Sequence, residues 1–206
     1  MKRFFFTPLL IGILAVSFAC EKAPENRTEA PISNQTSSSI VAQSNIDAKV
    51  ILVKYSDYQC PACKYFVPFE EKLKEDFGDD INIVVKNFPL SMHPYAHIAG
   101  RSAEAARKQG KYQEMHDMIF DGQEQWSRGN AEATFIGYAR ALNMNVEQFQ
   151  QDMNSADMNR IVMSDRREGL ELGVGSTPTF FINGDKIENN PSTYPAFKAL
   201  VEDYMD

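Results

Sequence analysis

Two cysteines separated by two residues, Cys60-Pro61-Ala62-Cys63, constrain this chain more than any other stretch of it. Upstream, Lys49–Tyr55 (KVILVKY) is a short β-branched apolar run and reads as a buried strand. The turn Ser56-Asp57-Tyr58-Gln59 follows, and Pro61 opens a helix that runs to Phe77 and closes at Gly78. Proline suits the first helical position because its missing N–H has no intrahelical partner there. Cys60 is then the N-cap, its side chain turned to the free amides of Ala62 and Cys63. Those donors and the positive end of the helix dipole favour a thiolate over a thiol. Cys63 lies one turn in, within reach of a disulfide. The expectation is an exposed nucleophile at Cys60 and a more buried resolving thiol at Cys63.

Two plainer readings of the pair are weaker. A structural disulfide across four residues closes a very small loop and stabilises far less than a long-range bridge. A zinc site would need His93 and His97 with the cysteines, but a strand separates the two pairs and Pro94 stands between the histidines. The third cysteine, Cys20, belongs to a different segment. Lys2 and Arg3 precede an apolar run from Phe4 to Phe18, and small Ala19 precedes Cys20, the order of a secretory signal over residues 1–19. Ser17-Phe18-Ala19 suits ordinary signal peptidase, while Ala19-Cys20 is similar to the end of a bacterial lipobox, whose cysteine is acylated. Both alternatives stand at this point.

Residues 20–46 lack Gly and aromatic residues, are rich in Ser, Asn, Gln, Thr, Glu and Pro, and sustain no helix or strand period. Such a segment buries too little apolar area to offset its ordering entropy. It reads as a polar linker, and as a random coil would reach on the order of 30 Å, enough to hold a domain off a membrane. The domain itself occupies 47–206, with a second strand at Ile81–Lys86 and helices from Tyr95 to Leu172, broken near Gly110, Gly122–Gly129 and Asn143–Asn145. A third strand is expected at Thr179–Ile182, a turn at Asn183-Gly184, a return strand at Lys186–Glu188, and a last helix capped by Ser192 and ending near Tyr204. The net charge is -7, and becomes -9 once a leader carrying Lys2 and Arg3 is removed. An acidic chain repels phosphate backbones, so nucleic acid is not an expected partner.

Several stretches together resemble the DsbA-like branch of thioredoxin-fold oxidoreductases. They are Tyr55–Cys63 (YSDYQCPAC), Asn87-Phe88-Pro89-Leu90 with His93-Pro94, Gln109–Tyr112 with His116-Asp117, and Gly173–Gly184 (GVGSTPTFFING). The resemblance covers about 48–206. It implies an α/β, thioredoxin-like fold with an inserted helical subdomain at about 92–172. It also implies a cis-proline loop at Thr177-Pro178 set against Cys60. There the backbone of Thr177 would pair with an extended substrate chain, and Pro178 would complete the catalytic set of Cys60, Pro61, Ala62 and Cys63. By resemblance the function is an exported disulfide oxidase in the periplasm or cell envelope. It would need no bound cofactor and no metal, and would act on cysteine-containing exported proteins with a quinone-linked membrane protein as reoxidant.

The chain departs from the family pattern at two positions. Ala62 stands where a histidine is common, so the thiolate lacks a cationic neighbour and the disulfide should be a milder oxidant. Lys54 stands six residues before Cys60, where the family often has a buried acid. It either shifts the Cys63 thiol electrostatically or merely reaches outward from the strand end. A reductase or isomerase using the same cysteines, served by a membrane thiol reductant, is therefore an alternative, as is a tethered binding or chaperone module. Residues 20–46 offer nothing that dimerises two sites, and the chain is read as a monomer. His93, His97 and His116 are expected in loop or core roles.

Overall fold

The computed structural model describes Met1 and residues 47–205. Apart from Met1, the signal peptide expected above lies outside the described residues, as do Cys20 and the whole linker to residue 46. Strand β1 (Val50–Ser56) is followed by helix α1 (Pro61–Phe77) and a short 3-10 turn, then by β2 (Ile81–Asn87). β1 and β2 pair in parallel with Val50 opposite Ile81, as a strand–helix–strand crossover requires. Helices α2 (Ala96–Arg107), α3 (Tyr112–Asp121), α4 (Gln123–Trp126), α5 (Ala131–Ala141), α6 (Val146–Met153) and α7 (Ala156–Glu171) come before β3 (Thr179–Ile182), β4 (Asp185–Lys186) and α8 (Tyr194–Glu202). The sheet order is β2-β1-β3-β4, with β3 antiparallel to both of its neighbours. This is the thioredoxin-like fold with a helical block between β2 and β3.

Local chemistry accounts for the elements. Cys63, Phe66, Glu70 and Leu73 recur at helical spacing and form the buried stripe of α1, and Gly78 ends it at φ 53° with its N–H on the Lys74 carbonyl. Asn183 and Gly184 both take positive φ, 50° and 93°, which a tight β3–β4 hairpin demands. The Asn183 side chain also receives the Ile51 N–H at 2.7 Å, tying the turn to β1. Some boundaries differ from the sequence reading. The return strand is Asp185–Lys186, opposite Ile182 and Phe181, with one further backbone bond from Ile187 N to the Phe180 carbonyl. The cap of α8 is Thr193, whose hydroxyl accepts from Ala196 N, so Ser192 falls one residue outside. A break at Asn154-Ser155, where Ser155 caps α7, and the short α4 within the Gly122–Gly129 stretch were not expected.

Phe66, Phe180, Phe197 and Val201 build one core between sheet, α1 and α8, with Phe180 and Phe197 rings 5.0 Å apart. A second core fills the helical block around Trp126, Phe135 and Phe149, and Cys60 and Cys63 pack into this second core. Gly169 lets α7 close on the sheet: a Cβ there would meet Phe88 and Tyr55 at 2.8 and 2.9 Å. Nearby, Asn87 donates from its backbone and side chain to buried Asp165, both at 3.0 Å, and from its side chain to Glu104 at 3.2 Å.

Burial outweighs these bonds and raises the Asp165 carboxyl to about 6 from an ordinary 3.8. An acid raised by folding stabilises most when protonated. Its contribution is full below pH 4 and is lost as pH rises through about 6. Urea unfolding of wild type and Asp165→Asn across pH 4–8 checks this. The wild type is expected to lose on the order of 2–3 kcal/mol relative to the variant over that span. Equal slopes would show that Asp165 is not the titrating group.

Candidate active site

β1 ends at Ser56, and the turn that follows delivers Cys60 to the start of α1. Cys60 has extended backbone geometry (φ −79°, ψ 120°) and its carbonyl accepts from Lys64 N, as an N-cap does. Every residue of the turn is held by chain that comes later. Buried Asp57 accepts from Gln59 N, Leu90 N and His93 Nδ1 at 2.7–2.8 Å. Tyr58 shares a 2.8 Å hydrogen bond with His116 on α3. Gln59 accepts from Tyr95 N at 2.8 Å. The side-chain amide of Gln123 on α4 donates to the carbonyls of Tyr58 at 2.7 Å and Cys60 at 3.0 Å.

Cys60 and Cys63 are both free thiols, 7% and 0% exposed. The order of burial is the expected one, but Cys60 is covered rather than exposed, because it packs into the helical block's core. Its thiol is lowered to about 5 from an ordinary 9.0. The largest cause is a hydrogen bond from the Cys63 thiol, opposed by burial and supported by the Thr177 side chain and by the amides of Cys63 and Ala62. The cap-amide effect expected from sequence is therefore present but secondary. Burial raises the Cys63 thiol well above its ordinary value, while Lys54 pulls it down.

Thr177-Pro178 is a cis peptide bond, and the Thr177 carbonyl accepts from Cys60 Sγ at 3.4 Å. Thus Cys60, Cys63, Thr177 and Pro178 come together, with Pro61 and Ala62 exposed on the first turn of α1.

Lys54 does not reach outward. It is 0% exposed, its Nζ donates to the Cys63 carbonyl at 3.2 Å, and it forms an ion pair with Glu70 on α1. Burial holds the Glu70 carboxyl above the ordinary range despite that pairing. Sequence reasoning did not single out Glu70. Its signal was a lone charge on the apolar stripe formed by positions 63, 66, 70 and 73. Asp57 and Gln123 were missed too, and Gln123 carries no local signal, since its partners lie more than sixty residues earlier. His116 is buried and held neutral, its pKa well below the ordinary value through burial. His93 pairs with Asp57, and His97, on α2, takes no part in the turn. Among the described residues no helix is long and apolar enough to cross a membrane.

A family model described as thioredoxin matches residues 36–203. The Na(+)/H(+) antiporter NhaA 1 of Mycolicibacterium vanbaalenii is 36% identical over 143 residues, which is 67% of this chain and 22% of the antiporter. The chain thus spans about a fifth of the length of that relative. Among solved structures, BdbD from Bacillus subtilis superposes with a TM-score of 0.68 at 21% identity, covering 78% of this chain and 89% of BdbD. A thioredoxin-like oxidoreductase from Silicibacter pomeroyi gives 0.64 at 24% identity, covering 78% and 86%. These likenesses establish the fold as thioredoxin-like with the helical insertion of DsbA-like proteins.

Proposed function

Since the chain belongs to the thioredoxin family, we propose that it is a thiol–disulfide oxidoreductase working through Cys60 and Cys63, in the direction that introduces disulfides into exported proteins. In that direction a substrate thiolate attacks Cys60 Sγ of the Cys60–Cys63 disulfide. The Cys60 sulphur becomes bonded to substrate, and Cys63 leaves as a thiolate that takes up a proton. A second substrate thiolate then attacks the substrate sulphur of the mixed disulfide. The substrate disulfide forms, Cys60 leaves as a thiolate, and the two electrons stay with the cysteine pair. A membrane redox partner that accepts them restores the disulfide.

The observation that carries this reading is the lowered thiol of Cys60, at about 5. A stabilised thiolate stabilises the reduced protein, and that makes its disulfide an oxidant. Thr177, with its carbonyl beside Cys60, is the backbone group on which an extended substrate would pair. The signal-like order of Lys2-Arg3 and the apolar run Phe4–Phe18 supports an envelope location. Cys20 is the tether in this reading.

Ala62 favours a second reading in the reducing direction, because it gives the thiolate no side-chain donor or charge. Equilibration of the cysteine pair with glutathione buffers separates the two. The expected reduction potential lies well above the about −270 mV of thioredoxin. A value near that figure overturns the oxidase direction and leaves a reductase.

A further inference from the structure

One buried side chain of the helical block hydrogen-bonds to the backbone of Cys60 itself. Gln123 opens α4 and is 4% exposed. Its two N–H bonds end on the carbonyls of Tyr58 and Cys60, the peptide groups on either side of Gln59 and Cys60. Two acceptors facing one amide fix which end is nitrogen. The helix that carries it is anchored at both ends. Gly122 precedes it with no room for a side chain, since a Cβ would stand 2.0 Å from the Tyr138 hydroxyl. Trp126 closes it, fully buried, with its indole N–H on the Ile119 carbonyl at 2.6 Å.

We propose that Gln123 is a positioning residue for the cysteine pair: its amide holds the carbonyls of Tyr58 and Cys60 and thereby sets the field in which the Cys60 sulphur ionises and reacts. This deepens the oxidoreductase reading and rests on it. Both carbonyl oxygens carry partial negative charge on the turn that presents a sulphur that must become negative. A buried amide that donates to both places partial positive charge between them, in surroundings where such dipoles are weakly screened. The Cys60 carbonyl has a second donor in Lys64 N at 3.3 Å, whereas Gln123 is the donor that closes the Tyr58 carbonyl to the turn.

The titratable groups around the site leave this role to a neutral amide. Cys63 gives its own hydrogen bond to Cys60, and Lys54 faces Cys63 with Glu70 behind it. Burial holds Tyr58 protonated and His116 unprotonated, so neither places a charge on the turn at neutral pH.

The test compares Gln123→Met, similar in length and without donors, with Gln123→Glu, which turns a carboxylate toward the two carbonyls. The probe is iodoacetamide, and the readout is the pH midpoint of Cys60 alkylation in the reduced protein, beside a melting curve. Loss of both donors is expected to move the midpoint upward in the Met variant, and the Glu variant is expected to move further. A purely structural anchor would lower the melting temperature and leave the midpoint in place. Unchanged midpoints in folded Met and Glu variants overturn the proposal. If the Met variant does not fold, the Glu variant alone decides it. The two claims fail separately. A wild type that exchanges thiols while both variants titrate normally defeats only the role of Gln123. A wild type that does not exchange thiols defeats the oxidoreductase reading, whatever the midpoints do.

Discussion

A Cys63→Ala variant is expected to accumulate mixed disulfides through Cys60 and to alkylate at a distinctly higher pH than the wild type. Both effects come from one atom. In the reduced protein the Cys60 thiolate attacks a substrate disulfide, forms Cys60–S–S–substrate and releases the second substrate sulphur as a thiolate. Only Cys63 is placed to attack that bond from within, so without it the adduct persists until another thiol arrives. The Cys63 thiol is also the largest influence lowering Cys60. A hydrogen bond to a charged acceptor is worth about 1.5–3 kcal/mol, or roughly one to two pH units in the alkylation midpoint. Non-reducing electrophoresis checks the adducts and the alkylation profile checks the midpoint. A variant that turns over like the wild type would remove Cys63 from the mechanism.

Removing Lys54 should have the largest effect on stability. Lys54→Met leaves the Glu70 carboxyl buried without its cation, and stranding one partner of a buried pair costs about 3–5 kcal/mol. The loss depends on pH in a direction that can be worked out. Burial already raises Glu70 above its ordinary 4.5, and without Lys54 it rises further. A group raised by folding contributes most when protonated. The variant is therefore nearest to wild type below pH 4.5 and falls away as pH climbs through the raised folded value. Replacing both residues, Lys54→Met with Glu70→Leu, is expected to recover most of the stability. The same loss removes the one charge that pulls the Cys63 thiol down, so reduced Cys63 should ionise at still higher pH. Denaturant unfolding at pH 5 and pH 8 checks the first part. Equal stability of Lys54→Met and wild type at pH 8 would show that the pair is energetically uncoupled.

The frame of the site was readable because its signals are local. Pro61 at the first helical position, Gly78 at the end of α1 and Asn183-Gly184 at the hairpin each act within a few residues, and each falls where the sequence puts it. The covering of Cys60 was not readable. It depends on how the helical block packs over the turn, and no periodicity in residues 96–171 says which side chains meet Tyr58 or Gln59. Lys54 shows the same limit. A lysine in a strand pattern is compatible with a reach to solvent or with burial, and the choice is made by Glu70, sixteen residues on and on another element. Glu70 was visible as an oddity on an apolar stripe, but its meaning required the partner.

The anchoring of the Asp57–Cys60 turn bears on when reactivity appears as the chain folds. The two cysteines lie near the start of the domain and Cys63 acts on Cys60 locally, yet other parts of the site lie 63 residues later at Gln123 and 117 residues later at Thr177. Contacts so distant in sequence form late, after the loops between them have closed. Until then Cys60 has only its local partners on the first turn of α1, Cys63 and the amides beside it. A partly folded copy therefore carries the same two cysteines without the Thr177 carbonyl and the Gln123 amide that complete the finished site.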